Sequence, residues 1–249
     1  MARDSGAETG EEQRPGHLLG KLNSVQIVTF SDDLSTVNIG GAVARRYHHG
    51  ALAEAMVEQA LAEVRLHGAD HVSLRGISQL LEVSPSASAA YNHFADKDEL
   101  LRAVGSCGLA SLDEYLTRVL TANPGNTPRA ARARFSGLGR EYLSFAIDEK
   151  HLFQLTFGQL CAAPGLAPDE TASYSKLQTA LDDLDPHGLL RPGVREGLNV
   201  TVWAATHDMA YLIVEGAIPP EDGDGLLDSL DRLMFIDEAG ELSHEFRKG

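Results

Sequence analysis

From His49 onward, apolar residues return at helical spacing in one segment after another. Ala53, Val57, Ala60, Leu61 and Val64 share one face of a first predicted helix, and His67-Gly68 supplies its C-terminal stop. Ser73 stands as N-cap to a short helix carrying Leu74, Ile77, Leu80 and Leu81. Asp96 and Glu99 form a capping-box pattern ahead of Leu100, Leu101 and Val104. Leu112, Leu116 and Val119 continue that stripe, which predicts a helix running to Leu120. Ala-Asn-Pro-Gly-Asn-Thr-Pro, from Ala122 to Pro128, breaks it.

The second half repeats the style without a fixed repeat. Phe135, Leu138, Tyr142 and Phe145 sit at i, i+3, i+7 and i+10. Lys150 to Leu160 is short, apolar and aromatic, and Ala162 to Pro168 reads as a loop. Asp169 to Leu184 is a weakly amphipathic helix, ended by Asp185-Pro186-His187-Gly188. Pro192 to Gly216 is a predicted long apolar helix around Trp203, and Pro219 to Gly225 an acidic turn. Leu226, Leu227, Leu230, Leu233 and Met234 stripe a last helix. The expected fold class is all-α, with a three-helix N-terminal unit that holds a helix-turn-helix layout and a longer helical unit after it.

Residues 1–44 differ from the rest. Asp4 to Gly16 is polar and Gly-rich and reads as disordered. Val25 to Phe30 is a β-type run with no evident partner, and Asn38-Ile39-Gly40-Gly41 breaks what precedes it. We expect 1–44 to be an extension, disordered or the product of a wrongly assigned start codon. The expected divisions are then 45–104 for the helix-turn-helix unit, 105–238 for the longer helical unit, and 239–249 for a tail.

The 249-residue chain carries a formal net charge of −15, which excludes a generally basic nucleic-acid coat. Residues 45–102 hold only −2 of it, with five of the ten histidines, so one small reading face is compatible with the acidic whole. Cys107 and Cys161, the only cysteines, offer no disulfide framework and no Cys-x-x-Cys site. No apolar run approaches the roughly 18 residues of a membrane span; the nearest, Val200 to Val214, is broken by His207 and Asp208. Met1 to Arg14 has four acids and no apolar stretch, so it is no secretory signal. The expectation is a soluble, cytoplasmic protein.

The most informative stretch is Ser73 to Leu101, where two short helices around a small turn, flanked by longer helices, make a helix-turn-helix layout. Its residues are Ser73-Leu74-Arg75-Gly76-Ile77-Ser78, then Val83-Ser84, then Tyr91-Asn92-His93-Phe94-Ala95-Asp96-Lys97-Asp98-Glu99-Leu100-Leu101. In these residues the chain resembles the TetR family of bacterial transcriptional regulators, over about residues 47–102. Tyr47-His48-His49-Gly50-Ala51-Leu52 is similar to one subgroup. Further on, Leu143-Ser144-Phe145-Ala146, His151-Leu152-Phe153, Phe157-Gly158 and Trp203-Ala204-Ala205-Thr206-His207 resemble that subgroup's regulatory half with its Trp-x-x-x-His-Gly signature; Asp208 replaces the glycine.

Two departures matter. Leu81-Glu82 stands where the family has Ala-Gly, and Glu in a left-handed turn position costs about 1 kcal/mol against Gly. Seven residues, Ser84 to Ala90, separate Val83 from Tyr91 where the family has five. Two extra residues inside a helix would turn its downstream face by roughly 200°. Placing Ser84-Pro85 in the turn, with Ser86 as N-cap, restores the family spacing to Tyr91. The rival register caps with Ser84 and puts Pro85 at the first helical position. We prefer the Ser86 register, in which Ala87, Ser88 and Ala89 face the groove and Tyr91, His93 and Lys97 approach phosphates, as the resemblance implies. Arg45, Arg46, His49, Ser73, Arg75, Ser84 and Asn92 complete the expected DNA-binding set. Nothing between Ser84 and Ala90 grips a base bidentately, so modest discrimination per half-site is expected.

The expected effector-binding residues are Phe135, Tyr142, Phe153, Phe157, Trp203, His207 and Tyr211; ordinary core packing is the competing reading of each. Phe145 is a further candidate of the same kind. His48-His49 has no acid or cysteine spaced to complete a metal site. No Gly-x-Ser-x-Gly, phosphate-cradling Gly loop or His-Glu-x-x-His is present, so no catalytic residues, metal or cofactor are expected. The resemblance implies a ligand-responsive repressor that binds a pseudo-palindromic double-stranded operator as a homodimer and answers to a small-molecule effector. The alternative is an all-α dimerisation or small-molecule-binding module of the same fold that has lost DNA binding.

Overall fold

Eight α-helices make up most of the computed structural model, which describes residues 49–81, 92–161 and 171–236. They are α1 (His49–His67), α2 (Leu74–Leu80), α3 (Lys97–Ala122), α4 (Pro128–Asp148), α5 (Lys150–Thr156), α6 (Ala172–Leu184), α7 (Leu198–Val214) and α8 (Gly223–Met234). Short 3-10 turns lie at Ala69–His71, Asp185–His187 and Pro220–Asp222. The fold is all-α; the described residues contain no strand, only an isolated antiparallel bridge between Leu190 and Phe235.

Short polar side chains set the helix starts. Ser73 Oγ accepts the Gly76 N–H at 3.1 Å, and Thr127 Oγ1 accepts that of Ala130 at 3.1 Å, with Pro128 at the first helical position. Asp96 Oδ1 accepts the Glu99 N–H at 2.8 Å. Glu99 Oε2 reaches back to the N–H of Ala95 at 2.6 Å, one residue upstream of the usual capping-box partner. α1 stops where Gly68 turns to φ +85°, a conformation that only glycine adopts cheaply.

One boundary departs from the apolar pattern. α7 begins at Leu198, not at Pro192. Gly193 and Gly197 have φ +80° and +70°, so the backbone turns left-handed twice before the helix can start. The segment ahead of it is occupied elsewhere. Arg191 N donates to Met234 O at 2.8 Å, Ile236 N to Leu189 O at 3.0 Å, and the Arg191 guanidinium to the carbonyls of Phe235 and Arg232.

α4 is the central helix, packing against α3, α5, α6, α7 and α8. Its Ala131, Phe135, Leu138, Tyr142, Leu143, Phe145 and Ala146 are buried. Arg134 is also buried, at 8% exposure, and fully used: it donates to the carbonyls of Asn123 and Gly125 at 2.8 Å and to Asp183 at 2.7 Å. That guanidinium fastens the α3–α4 turn to α6. α1 packs on α2, α3 and α5, so α3 lies between the N-terminal helices and the rest.

α3 and α5 approach very closely. A Cβ at Gly108 would overlap Thr156 Oγ1 and stand 3.1 Å from Thr156 Cβ. A Cβ at Gly105 would stand 2.5 Å from Cys161 Sγ. Thr156 cannot swing away freely, because its hydroxyl donates to Leu152 O at 2.7 Å. Gly108→Ala is therefore expected to destabilise the protein by about 1–3 kcal/mol in chemical denaturation. Adding Thr156→Ala should recover part of that loss; simple additivity of the two substitutions would show that the crossing is not tight.

Candidate nucleic-acid interface and effector cavity

Much of the expected reading surface lies outside the described residues: Arg45, Arg46, Ser84, Ser86, Ala87, Ser88, Ala89 and Tyr91, and with them both registers of the 82–91 link. What frames it is described. His49 opens α1, α2 ends at Leu80, and the chain re-enters at Asn92 ahead of α3. Arg75 and Asn92 are exposed, and His93 is half-buried. Ser73 is exposed, with its oxygen engaged as the α2 cap. The Lys97 ammonium, at the first turn of α3, donates to the Asp70 carbonyl at 3.3 Å. That bond brings the start of α3 beside the turn preceding α2, so Ser73 and Lys97 belong to one corner of the fold.

The second site is a cavity at the centre of the helical body. Phe135, Leu138 and Tyr142 of α4 meet Leu116 of α3, Leu177 of α6, Val202 and Trp203 of α7, and Leu227 and Leu230 of α8. Its free interior is about 50 Å³, and the space between its walls, mouth included, about 640 Å³. Drug-sized ligands occupy roughly 300–1,000 Å³. A ligand of that size must part the walls, which is how occupancy of this cavity can be felt by the helices around it.

The cavity has a polar end. Ser136, Arg140 and Asp231 line it there, and Ser173 and Thr206 add hydroxyls elsewhere on the wall. Ser136 Oγ donates to Asp231 Oδ2 at 2.6 Å. Arg140 turns to Asp228 at 2.6 Å and Asp224 at 3.3 Å. Burial pushes the Asp231 carboxyl above the usual carboxylate range, against the opposing pull of the Ser136 bond and of Arg132 and Arg140.

Behind Tyr142 lies an aromatic layer. Tyr142 Oη is 2.8 Å from His207 Nδ1. Burial raises the Tyr142 phenol and lowers His207, so the phenol keeps its proton and a neutral imidazole accepts it. Trp203 stacks on His207, centroids 5.5 Å apart at 16°, and Phe153 and Phe157 close around it at 5.8 and 5.0 Å.

Of the expected effector residues, Phe135, Tyr142 and Trp203 line the cavity. Phe153, Phe157 and His207 form the layer behind it. Tyr211 lies on the outer side of α7, 52% exposed and off the cavity. Phe145 is fully buried and off it as well. Sequence reasoning missed Ser136, Arg140, Asp231 and Thr206. The available signal was positional: Asp231 falls between Leu227 and Met234 on the buried stripe of α8, where an acid is out of place.

A wider, open cleft runs between α1, α3 and α4, past Arg65, Asp113, Tyr115, Arg118 and Glu149. Most of its charges are engaged: Arg65 binds Glu149 at 3.0 Å, Asp113 binds Lys176, and the Arg118 guanidinium lies 4.2 Å from the Tyr115 ring centroid. Among the described residues no cluster of His, Cys, Asp and Glu could hold a metal, and no helix is long and apolar enough to cross a membrane.

His207 gives a pH signature. Its folded pKa lies below 6.5, so the unfolded chain binds the proton more readily. The stability that depends on the neutral ring is present above pH 6.5 and is lost as pH falls through the folded value. Between pH 7.5 and 5.5 the melting midpoint of the natural protein should fall further than that of His207→Gln. Equal falls would show that the ring is protonated without cost.

No family model matches the chain, and a search of curated proteins finds no match. Solved structures do match. A protein of unknown function from Rhodococcus sp. RHA1 is 26% identical, with a TM-score of 0.56, over 76% of this chain and 96% of that one. A TetR-family transcriptional regulator from Pectobacterium atrosepticum is 20% identical, with a TM-score of 0.60, over the same shares. The helices around the cavity and the α1–α3 frame thus form the fold found in a TetR-family transcriptional regulator.

Proposed function

We propose that the protein is a ligand-responsive DNA-binding transcriptional regulator of the TetR type, of the subgroup with the Trp-x-x-x-His regulatory half, and that it represses. The observation that carries this reading is α3. It is one unbroken helix with Lys97 in the corner that frames the reading segment and Leu116 in the cavity wall. The two positions are roughly 28 Å apart along the helix axis at 1.5 Å per residue. A ligand that parts the cavity walls displaces one end of a rod whose other end sets the position of the reading head. Coupling then follows from the difference in ligand affinity between two head spacings.

In this reading residues 45–104 are the reading head and 105–238 the effector and dimerisation domain. Ser84, Ser86, Ala87, Ser88 and Ala89 meet bases, with Tyr91, His93 and Lys97 at phosphates. The homodimer forms through α7 and α8. Val200 and Tyr211 share one face of α7 and are 51% and 52% exposed; Leu212 and Leu233 are 41% and 61% exposed. Helices that leave so much apolar surface in water favour a partner. Two half-sites one turn of duplex apart lie about 34 Å from each other, which makes the operator pseudo-palindromic.

Selection of bound duplexes from a random pool, read with the full chain, is expected to enrich a palindrome. Its affinity should fall with salt, and Lys97→Ala and Tyr91→Phe should each weaken it roughly two- to tenfold. Enrichment of nothing at low salt would favour the binding-module alternative, which the two extra residues before Tyr91 already favour. In light scattering the chain should be a dimer, and Leu212→Glu with Leu233→Glu should yield monomer. A mixed chemical library followed by Trp203 emission should give a ligand that releases the duplex, and Leu177→Phe, which fills the cavity, should abolish that release.

A further inference from the structure

Asp231 is a half-buried acid on the wall of a largely apolar cavity, with one hydrogen bond and no ion pair of its own among the described residues. Ser136 satisfies one of its oxygens. Among the described residues no ammonium or guanidinium lies within 4 Å of it, because both nearby arginines are engaged elsewhere. The Arg132 guanidinium sits 4.4 Å from the Phe235 ring centroid, and that of Arg140 is held by Asp228 and Asp224. A half-buried carboxylate whose burial is offset only at a distance, by Arg132 and Arg140, is costly. The cavity therefore presents to its occupant an acid that no ammonium or guanidinium pairs directly.

Apart from the Ser173 and Thr206 hydroxyls, the remaining wall is apolar or aromatic, with Phe135, Leu177 and Trp203 prominent. Such a wall accepts a hydrophobic body, and its ring faces attract a cation more than they attract an anion. A carboxylate or phosphate ligand would meet the acid of Asp231 with no free guanidinium to offset it. A neutral ligand would leave that acid as it stands. We propose that the cavity takes an apolar, ring-bearing amine, with its protonated nitrogen against Asp231 and its hydrophobic body against Phe135, Leu177 and Trp203.

This inference deepens the effector reading and rests on the cavity being the effector site. Trp203 is the sole tryptophan of the chain and lines the cavity, so its emission reports occupancy directly. The probes are 4-phenylbutylamine, 4-phenylbutanol and 4-phenylbutanoate, which share a body and differ in end group. At pH 7.5 the amine should bind at least tenfold more tightly than the alcohol, and the carboxylate most weakly. Asp231→Asn, which can still accept from Ser136, should weaken the amine about ten- to a hundredfold and leave the alcohol unchanged. Arg140→Gln removes a positive charge from the same end and should tighten the amine several-fold, an independent reading should Asp231→Asn fail to fold. Equal or tighter binding of the alcohol or the carboxylate overturns the inference, as does silence from all three at millimolar concentration. A duplex-releasing ligand from the mixed library that is not an amine would sink this inference alone, leaving the effector site in place. A library that yields no release under any condition would end both.

Discussion

The near-contact of α3 with α5 is the constraint on which the rest of the molecule depends. Two glycines, Gly105 and Gly108, let the α3 backbone come within side-chain reach of Thr156 and Cys161. A protein interior is packed like a crystal and transmits displacement instead of absorbing it. With that crossing closed, α3 cannot slide against the body without moving α5, and α5 in turn carries Phe153, which packs against Tyr142 and His207. The cavity, the aromatic layer and the N-terminal helices are thus parts of one rigid linkage.

Charge is arranged with the same economy. The chain is acidic overall, yet the buried and half-buried arginines are placed where acids or carbonyls gather. Arg134 closes three groups from two different segments, and Arg140 holds two aspartates of α8. These guanidiniums act as fasteners between helices, since their planar forks satisfy several acceptors at once. The cost of that arrangement falls on Asp231, whose neighbouring arginines have been drawn to other partners.

The helices were largely legible from the chain because the forces that form them are local. Ser73, Asp96 and Thr127 announce helix starts through side chains that reach three residues onward. The Phe135–Phe145 spacing announces a buried face because helical period and burial coincide there. The start of α7 was hidden: Val194 and Leu198 keep apolar spacing, and the left-handed glycines at 193 and 197 carry no periodic signal. The cavity was half legible. Phe135, Tyr142 and Trp203 stand out as aromatics, whereas Asp231 gives no such signal, because its burial is a property of α4 and α8 together. Tyr211 looked internal because the whole of α7 is apolar, and an apolar helix alone does not say which side meets the core and which is left open.

The bridge between Leu190 and Phe235 has an effect beyond local geometry. It joins the strap before α7 to the residue just after α8, so that both helices lie within one closed loop. Opening either helix then requires breaking the clasp, and breaking the clasp releases both. Amide protons of α7 and α8 should accordingly exchange with solvent as a single cooperative group, with protection set by the Arg191 clasp and not by the intrinsic strength of either helix.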